Sequence, residues 1–176
     1  MLRIFYPNMY VPSILDINPD ELRKQGITTI LLDLDNTIVP RDRDKLSPEI
    51  ESWLTGMLQR GFKLCIVSNN STARVGKLAG PLKIPCVVRA VKPMRQAFRR
   101  ALDLLDATVE ETMVIGDQIF TDIWGGNRLG MFTVLVVPMQ GKEFWMTKLI
   151  NRRLEKVLLA RISQLVSHKD KQYYVR

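Results

Sequence analysis

The chain has 176 residues, 46% of them hydrophobic, and a formal net charge of +8, which fits one compact domain with a sizeable core and excludes a disordered chain. Its two cysteines, Cys65 and Cys86, lie inside apolar runs and read as core residues of a reducing compartment, excluding a disulfide framework. No run approaches the ~20 apolar residues of a membrane span, and residues 1–17, broken by Pro7, Pro12 and Asp16, hold no signal-peptide core; the expectation is a cytoplasmic protein, soluble or peripheral on the inner membrane face.

Residues 19–25 read as a short helix stopped by Gly26, and 27–32 (ITTILL) as a buried strand. Asp33 and Asp35 follow directly. Ser47 and Pro48 supply an N-cap and a first-turn proline for a helix to about residue 60, with Gly61 beyond its end. The second strand is 62–67 (FKLCIV), closed by Ser68, Asn69 and Asn70. A helix from 72 ends near Gly80 and Pro81, and a short strand at 86–88 follows. Pro93 opens a helix through 105, with Phe98, Ala101, Leu102 and Leu105 at helical spacing. Thr108 and Glu111 fit a short capping box, or else Glu111 leads straight into a strand at 113–115. Gly116 and Asp117 close that strand, a turn of helix covers 122–129, and 132–137 is the last strand.

From about 142 the pattern becomes one long helix to about 166, within a basic tail at 142–176. Residues 141–176 hold nine Lys/Arg against three Asp/Glu, so an anionic partner, a membrane surface or RNA, competes with a plain solubilising role. The stripe that runs from Phe144 to Leu165 suits packing on the domain's own sheet or lying in an anionic membrane interface. Strand-like runs alternating with helical ones predict a parallel α/β sheet in a single domain, 1–176, with its core at about 27–140.

The chemistry gathers at the ends of the strand-like runs. Asp33 and Asp35 emerge where open parallel sheets place their ligands. Carboxylates this close repel unless a cation lies between them, and a hard divalent ion such as Mg²⁺ is the natural resolution. Ser68, Asp117 and, shortly after 86–88, Lys92 stand in comparable positions, with Asp122 five residues past Asp117. Lys92 precedes Pro93, at a helix entrance where a cation and the helix dipole can both face an anion. Histidine-, cysteine- and nucleotide-loop-based chemistries find no support: the only histidine is His168, neither cysteine has an arginine six residues on, and no glycine-rich nucleotide loop is present.

This order of motifs, over residues 27–130, resembles the haloacid dehalogenase-like (HAD) superfamily. The openings Phe5-Tyr6-Pro7-Asn8 and Ile14-Leu15-Asp16-Ile17 extend the likeness to the YqeG-type, subclass IIIA phosphatases, which are similar to mitochondrial phosphatidylglycerophosphate phosphatases. The resemblance implies a three-layer sandwich around a parallel sheet. It implies Asp33 as nucleophile, Asp35 as general acid and base, and Ser68 with Asn69 and Lys92 on the phosphoryl group. Mg²⁺ would be held by the Asp33 carboxylate, the Asp35 backbone carbonyl and Asp117, with Asp122 either a ligand through water or an anchor for its neighbours. Neither gap, Asp35 to Ser68 nor Ser68 to Lys92, has room for a lid domain, so an open site and a bulky phosphorylated substrate are expected, with a lipid phosphate favoured. A protein or nucleotide phosphatase, and an RNA- or ribosome-associated accessory module, are the rival readings.

Overall fold

The computed structural model describes residues 2–139 and the strands at 166–169 and 172–175. The N-terminal part contributes strand β1 (Met9–Val11), helix α1 (Pro19–Lys24) and strand β2 (Thr29–Leu32). Helix α2 (Pro48–Gln59), β3 (Lys63–Val67), α3 (Thr72–Ala79), β4 (Cys86–Val87) and α4 (Arg95–Leu105) follow. The remainder is β5 (Thr112–Gly116), a single π-helical turn (Ile119–Ile123), α5 (Trp124–Asn127), β6 (Phe132–Val136), β7 (Val166–Lys169) and β8 (Gln172–Val175).

Six strands run parallel in the order β4-β3-β2-β5-β6-β1. The β7–β8 hairpin continues the sheet past β1, antiparallel to it, pairing Met9 with Tyr174 and Tyr10 with Tyr173.

Period-two alternation in β2 explains the layers. Ile30 and Leu32 face one side, where Ile50, Leu54 and Met57 of α2 and Val75 and Leu78 of α3 cover them. Leu31 faces the other side with Cys65, Val67 and Val114, under Ala97, Phe98, Ala101 and Leu102 of α4. Every residue of β2 is buried, as expected of a central parallel strand covered on both faces. The spacing of Ile50, Leu54 and Met57 puts one stripe of α2 on the sheet. Its start is set by Ser47, whose side chain accepts from the Ile50 N–H at 3.4 Å; a cap of this kind stabilises a helix by about 1 kcal/mol.

Most expected elements are present, with two corrections. The helix expected from Pro93 begins at Arg95, because the Met94 N–H bonds back to the Val91 carbonyl and closes a turn first. As expected at Thr108 and Glu111, the Glu111 carboxylate receives the Thr108 N–H at 3.0 Å and the chain then enters β5 at once. Within the tail expected to be helical, the end is the β7–β8 hairpin; the long helix expected at about 142–166 lies, apart from its last residue, outside the described residues. Strand β1 was not anticipated. No lid domain interrupts the core: α2 alone lies between β2 and β3, and α3 with a short 3-10 turn lies between β3 and β4. No helix among the described residues is long and apolar enough to cross a membrane.

Candidate active site

Asp33, Ser68 and Asp117 are each the first residue past the end of a strand, β2, β3 and β5, and Lys92 follows β4 by five residues. These four strands are neighbours in the sheet, so residues far apart in sequence meet at its carboxyl edge. Asp33, Ser68 and Lys92 border a cleft of about 240 Å³ that Asp35 and Asn69 also line.

Lys92 is the hub. Its ammonium, almost fully buried, donates to Asp33 Oδ1 and, at 2.6 Å, to Asp122 Oδ1. Burial by itself would push the ammonium down, but Asp122 and Asp33 more than reverse this and hold it above its ordinary value. Asp122 is fixed in turn: its other oxygen accepts from the Gln118 N–H at 3.2 Å. Gly116 makes room for it, since a Cβ there would lie 2.3 Å from the Asp122 carboxyl. The π-helical turn brings Asp122 back under the strand that ends at Gly116.

Asp33, Asp117 and Asp122 each offer an oxygen within 4.8 Å of the others. Burial, then repulsion from Asp33 and Asp122, pushes the Asp117 carboxyl up to about 8. Asp33 is pushed up to about 6, first by burial, with Lys92 acting in the opposite direction. Asp117 Oδ1 is buried and has no hydrogen-bond partner. An orphaned carboxylate oxygen among oxygen donors that repel one another fits a hard divalent cation.

Asp35 has a different environment. Oδ1 accepts from Arg74 Nε at 3.1 Å and Nη2 at 2.8 Å, and Oδ2 accepts from Asn70 Nδ2. Its side chain therefore stands apart from the three-carboxylate cluster. Ser68 is buried, and its Oγ accepts from the Asn70 N–H at 3.2 Å, leaving the hydroxyl proton for another acceptor. Asn69 uses its Oδ1 to accept from the Lys92 N–H at 2.8 Å, tying the lysine's backbone to the Ser68 loop. Arg74 and Asn70 were missed from the sequence. Asn70 stood in the Ser-Asn-Asn turn, but nothing in the spacing marked a contact 35 residues upstream, and Arg74 sits on α3 like any first-turn cation.

A parallel α/β sheet that gathers three carboxylates and a buried lysine at its carboxyl edge, together with the family match that follows, places the chain among the hydrolases. The chain belongs to the haloacid dehalogenase-like hydrolases, whose family model matches residues 5–130, and it is a phosphatase of that family. It is 39% identical to the probable phosphatase YqeG of Bacillus subtilis, over 92% of this chain and 94% of that protein. It is 27% identical to the chloroplastic phosphatidylglycerophosphate phosphatase 1 of Chlamydomonas reinhardtii, over 92% of this chain but 64% of the algal protein. Among solved structures, an uncharacterized protein from Listeria monocytogenes shares the fold with a TM-score of 0.54 at 20% identity, over 77% of this chain and all of that one.

Proposed function

We propose that the protein is a Mg²⁺-dependent phosphomonoesterase that works through a phosphorylated Asp33 and acts on phosphatidylglycerophosphate. The observation that carries the catalytic part is the buried Lys92 ammonium shared by Asp33 and Asp122, beside the unpartnered Asp117 oxygen. Asp33, Asp117 and the Asp35 backbone carbonyl would hold the metal. Bound there, Mg²⁺ clamps the phosphate and offsets the charge that develops during transfer.

The rest is the work of the chain's own residues. Lys92 offsets the charge of Asp33 so that the carboxylate can approach an anionic phosphorus. Asp33 attacks phosphorus, the bond to the leaving oxygen breaks, and Asp35 gives that oxygen its proton. A water then attacks the phosphorus of the Asp33 acyl phosphate and loses its proton to Asp35, and the bond between phosphorus and the Asp33 oxygen breaks. Inorganic phosphate leaves, and both carboxyls return to their starting state. Ser68 donates its free hydroxyl proton to a phosphoryl oxygen, while Asn69 fixes the loop that delivers Lys92. Asp122, with both oxygens engaged, serves as the anchor of Lys92.

Two features support the lipid substrate: an open cleft with no inserted lid domain among the described residues, which a bulky phosphate carrier needs, and the likeness to the algal phosphatidylglycerophosphate phosphatase. The test is Mg²⁺-dependent phosphate release from phosphatidylglycerophosphate in mixed micelles, beside a soluble aryl phosphate. Wild type should hydrolyse the lipid, and Asp33→Asn should lose that turnover without unfolding. Turnover of the aryl phosphate alone would refute the lipid assignment, and an active Asp33→Asn would refute the nucleophile.

A further inference from the structure

Residues 52–102 contain ten lysines and arginines and not one aspartate or glutamate. This stretch, separate from the basic tail, carries α3, β4, the Lys92 loop and most of α4. Arg89, Arg95, Arg99 and Arg100 are exposed, and among them stand the two most exposed apolar side chains of the stretch, Val91 at 65% and Met94 at 54%.

The backbone holds Val91 outward. The Arg89 N–H bonds to the Asn70 carbonyl at 3.1 Å, the Ala90 N–H to the Ser68 carbonyl at 3.0 Å and the Lys92 N–H to Asn69. With Lys92 drawn into the cleft and 8% exposed, its neighbour is left in solvent. Val91 also has a φ of +56°, a left-handed conformation that a β-branched residue rarely adopts. A rigid loop thus presents apolar tips amid cations directly beside the residue that reaches the substrate.

We propose that this loop and the start of α4 dock on an anionic lipid bilayer, presenting a membrane-borne phosphomonoester to the cleft; the proposal rests on the lipid-phosphate reading above. A bilayer supplies what each part of the surface lacks: acyl chains for Val91 and Met94, anionic headgroups for the arginines. RNA matches the charge less completely in kind, because base recognition relies heavily on aromatic stacking and the only aromatic of residues 63–102, Phe98, is fully buried.

The experiment is flotation of the full chain with vesicles of phosphatidylcholine, alone or with phosphatidylglycerol, and with single-stranded RNA as the comparison ligand. Val91→Ser/Met94→Ser and Arg95→Gln/Arg99→Gln are tested beside wild type. Wild type should float with the anionic vesicles only, and more so at low salt. Each pair of substitutions should weaken that binding by about tenfold or more, with aryl phosphate hydrolysis and melting temperature unchanged. Wild type left unbound, both variants floating as wild type does, or retention by RNA without vesicle binding would each overturn the docking surface. A short-chain, water-soluble phosphatidylglycerophosphate separates the two readings. Variants that lose vesicles yet hydrolyse it at the wild-type rate uphold the docking role. A wild type that docks through this loop but leaves the soluble lipid intact refutes the substrate and leaves the surface standing.

Discussion

Asp117 stands half-buried beside two buried carboxylates, with its Oδ1 buried and unpartnered. The sign of its effect on stability follows from the direction of the shift. Without metal, Asp117 at about 8 and Asp33 at about 6 hold their protons more tightly folded than unfolded. Their contribution is therefore fully present below about pH 4 and is lost as pH rises through those values. A divalent cation at this site would need the ionised carboxylates, so the rise in melting temperature on adding Mg²⁺ to metal-free protein should be larger at about pH 8 than at about pH 5. Thermal unfolding at both pH values, with chelator or Mg²⁺, checks this; an equal rise at both would mean that these acids do not receive the ion. At this scale the positions of Asp33, Ser68 and Asp117 at the sheet's carboxyl edge were legible. Asp33, Ser68 and Asp117 are visible because each ends an apolar run. The partners of Asp35 were not, because Asn70 and Arg74 reach it through loop and helix geometry that no local pattern encodes.

Helix α3 is the element that holds Asp35, the residue proposed above to move the protons. Its Arg74 places two guanidinium N–H groups on Asp35 Oδ1 and a third bond on Asp44 at 3.2 Å. Removing that grip should misdirect the Asp35 carboxyl without emptying the core, since Arg74 is half-buried and lies on the polar side of α3. Arg74→Met should lower kcat for an alkyl phosphate, whose leaving oxygen needs a proton, by about a hundredfold, with little change in KM. Arg74→Lys should restore only part of the loss, because an ammonium cannot reproduce the two-pronged contact. Steady-state kinetics decide; unchanged kcat in Arg74→Met would make the ion pair purely structural. Elements with strong periodicity or caps, such as α2 behind Ser47 and α4 with Phe98 and Ala101, were legible. Strand β1 was not, because three residues carry too little alternation to announce a strand, and its place is set by pairing with β6. The β7–β8 hairpin depends likewise on a sheet edge far away in sequence.

Across the whole molecule, a parallel sheet gathers the reactive groups at one edge and leaves them under an open cleft, with no inserted lid among the described residues. That architecture followed from the alternation of elements and from where the acidic residues fell. The concentration of positive charge in residues 52–102 gains meaning only when the fold sets it beside the cleft. In the proposed mechanism Asp33 carries the phosphoryl group and Asp35 moves the protons. An aryl phosphate with a good leaving group needs little acid help in the first step, so Asp35→Asn should still phosphorylate Asp33 and then stall, because the attacking water lacks its base. The direct measurement is rapid mixing of Asp35→Asn with such a substrate, following phenol release and locating the acid-quenched phosphoryl group by peptide mass spectrometry. The account predicts a burst of one phenol per enzyme molecule and a phosphoryl group on Asp33. Slow steady release with no burst and no phosphorylated peptide, or a phosphoryl group on another residue, would contradict it.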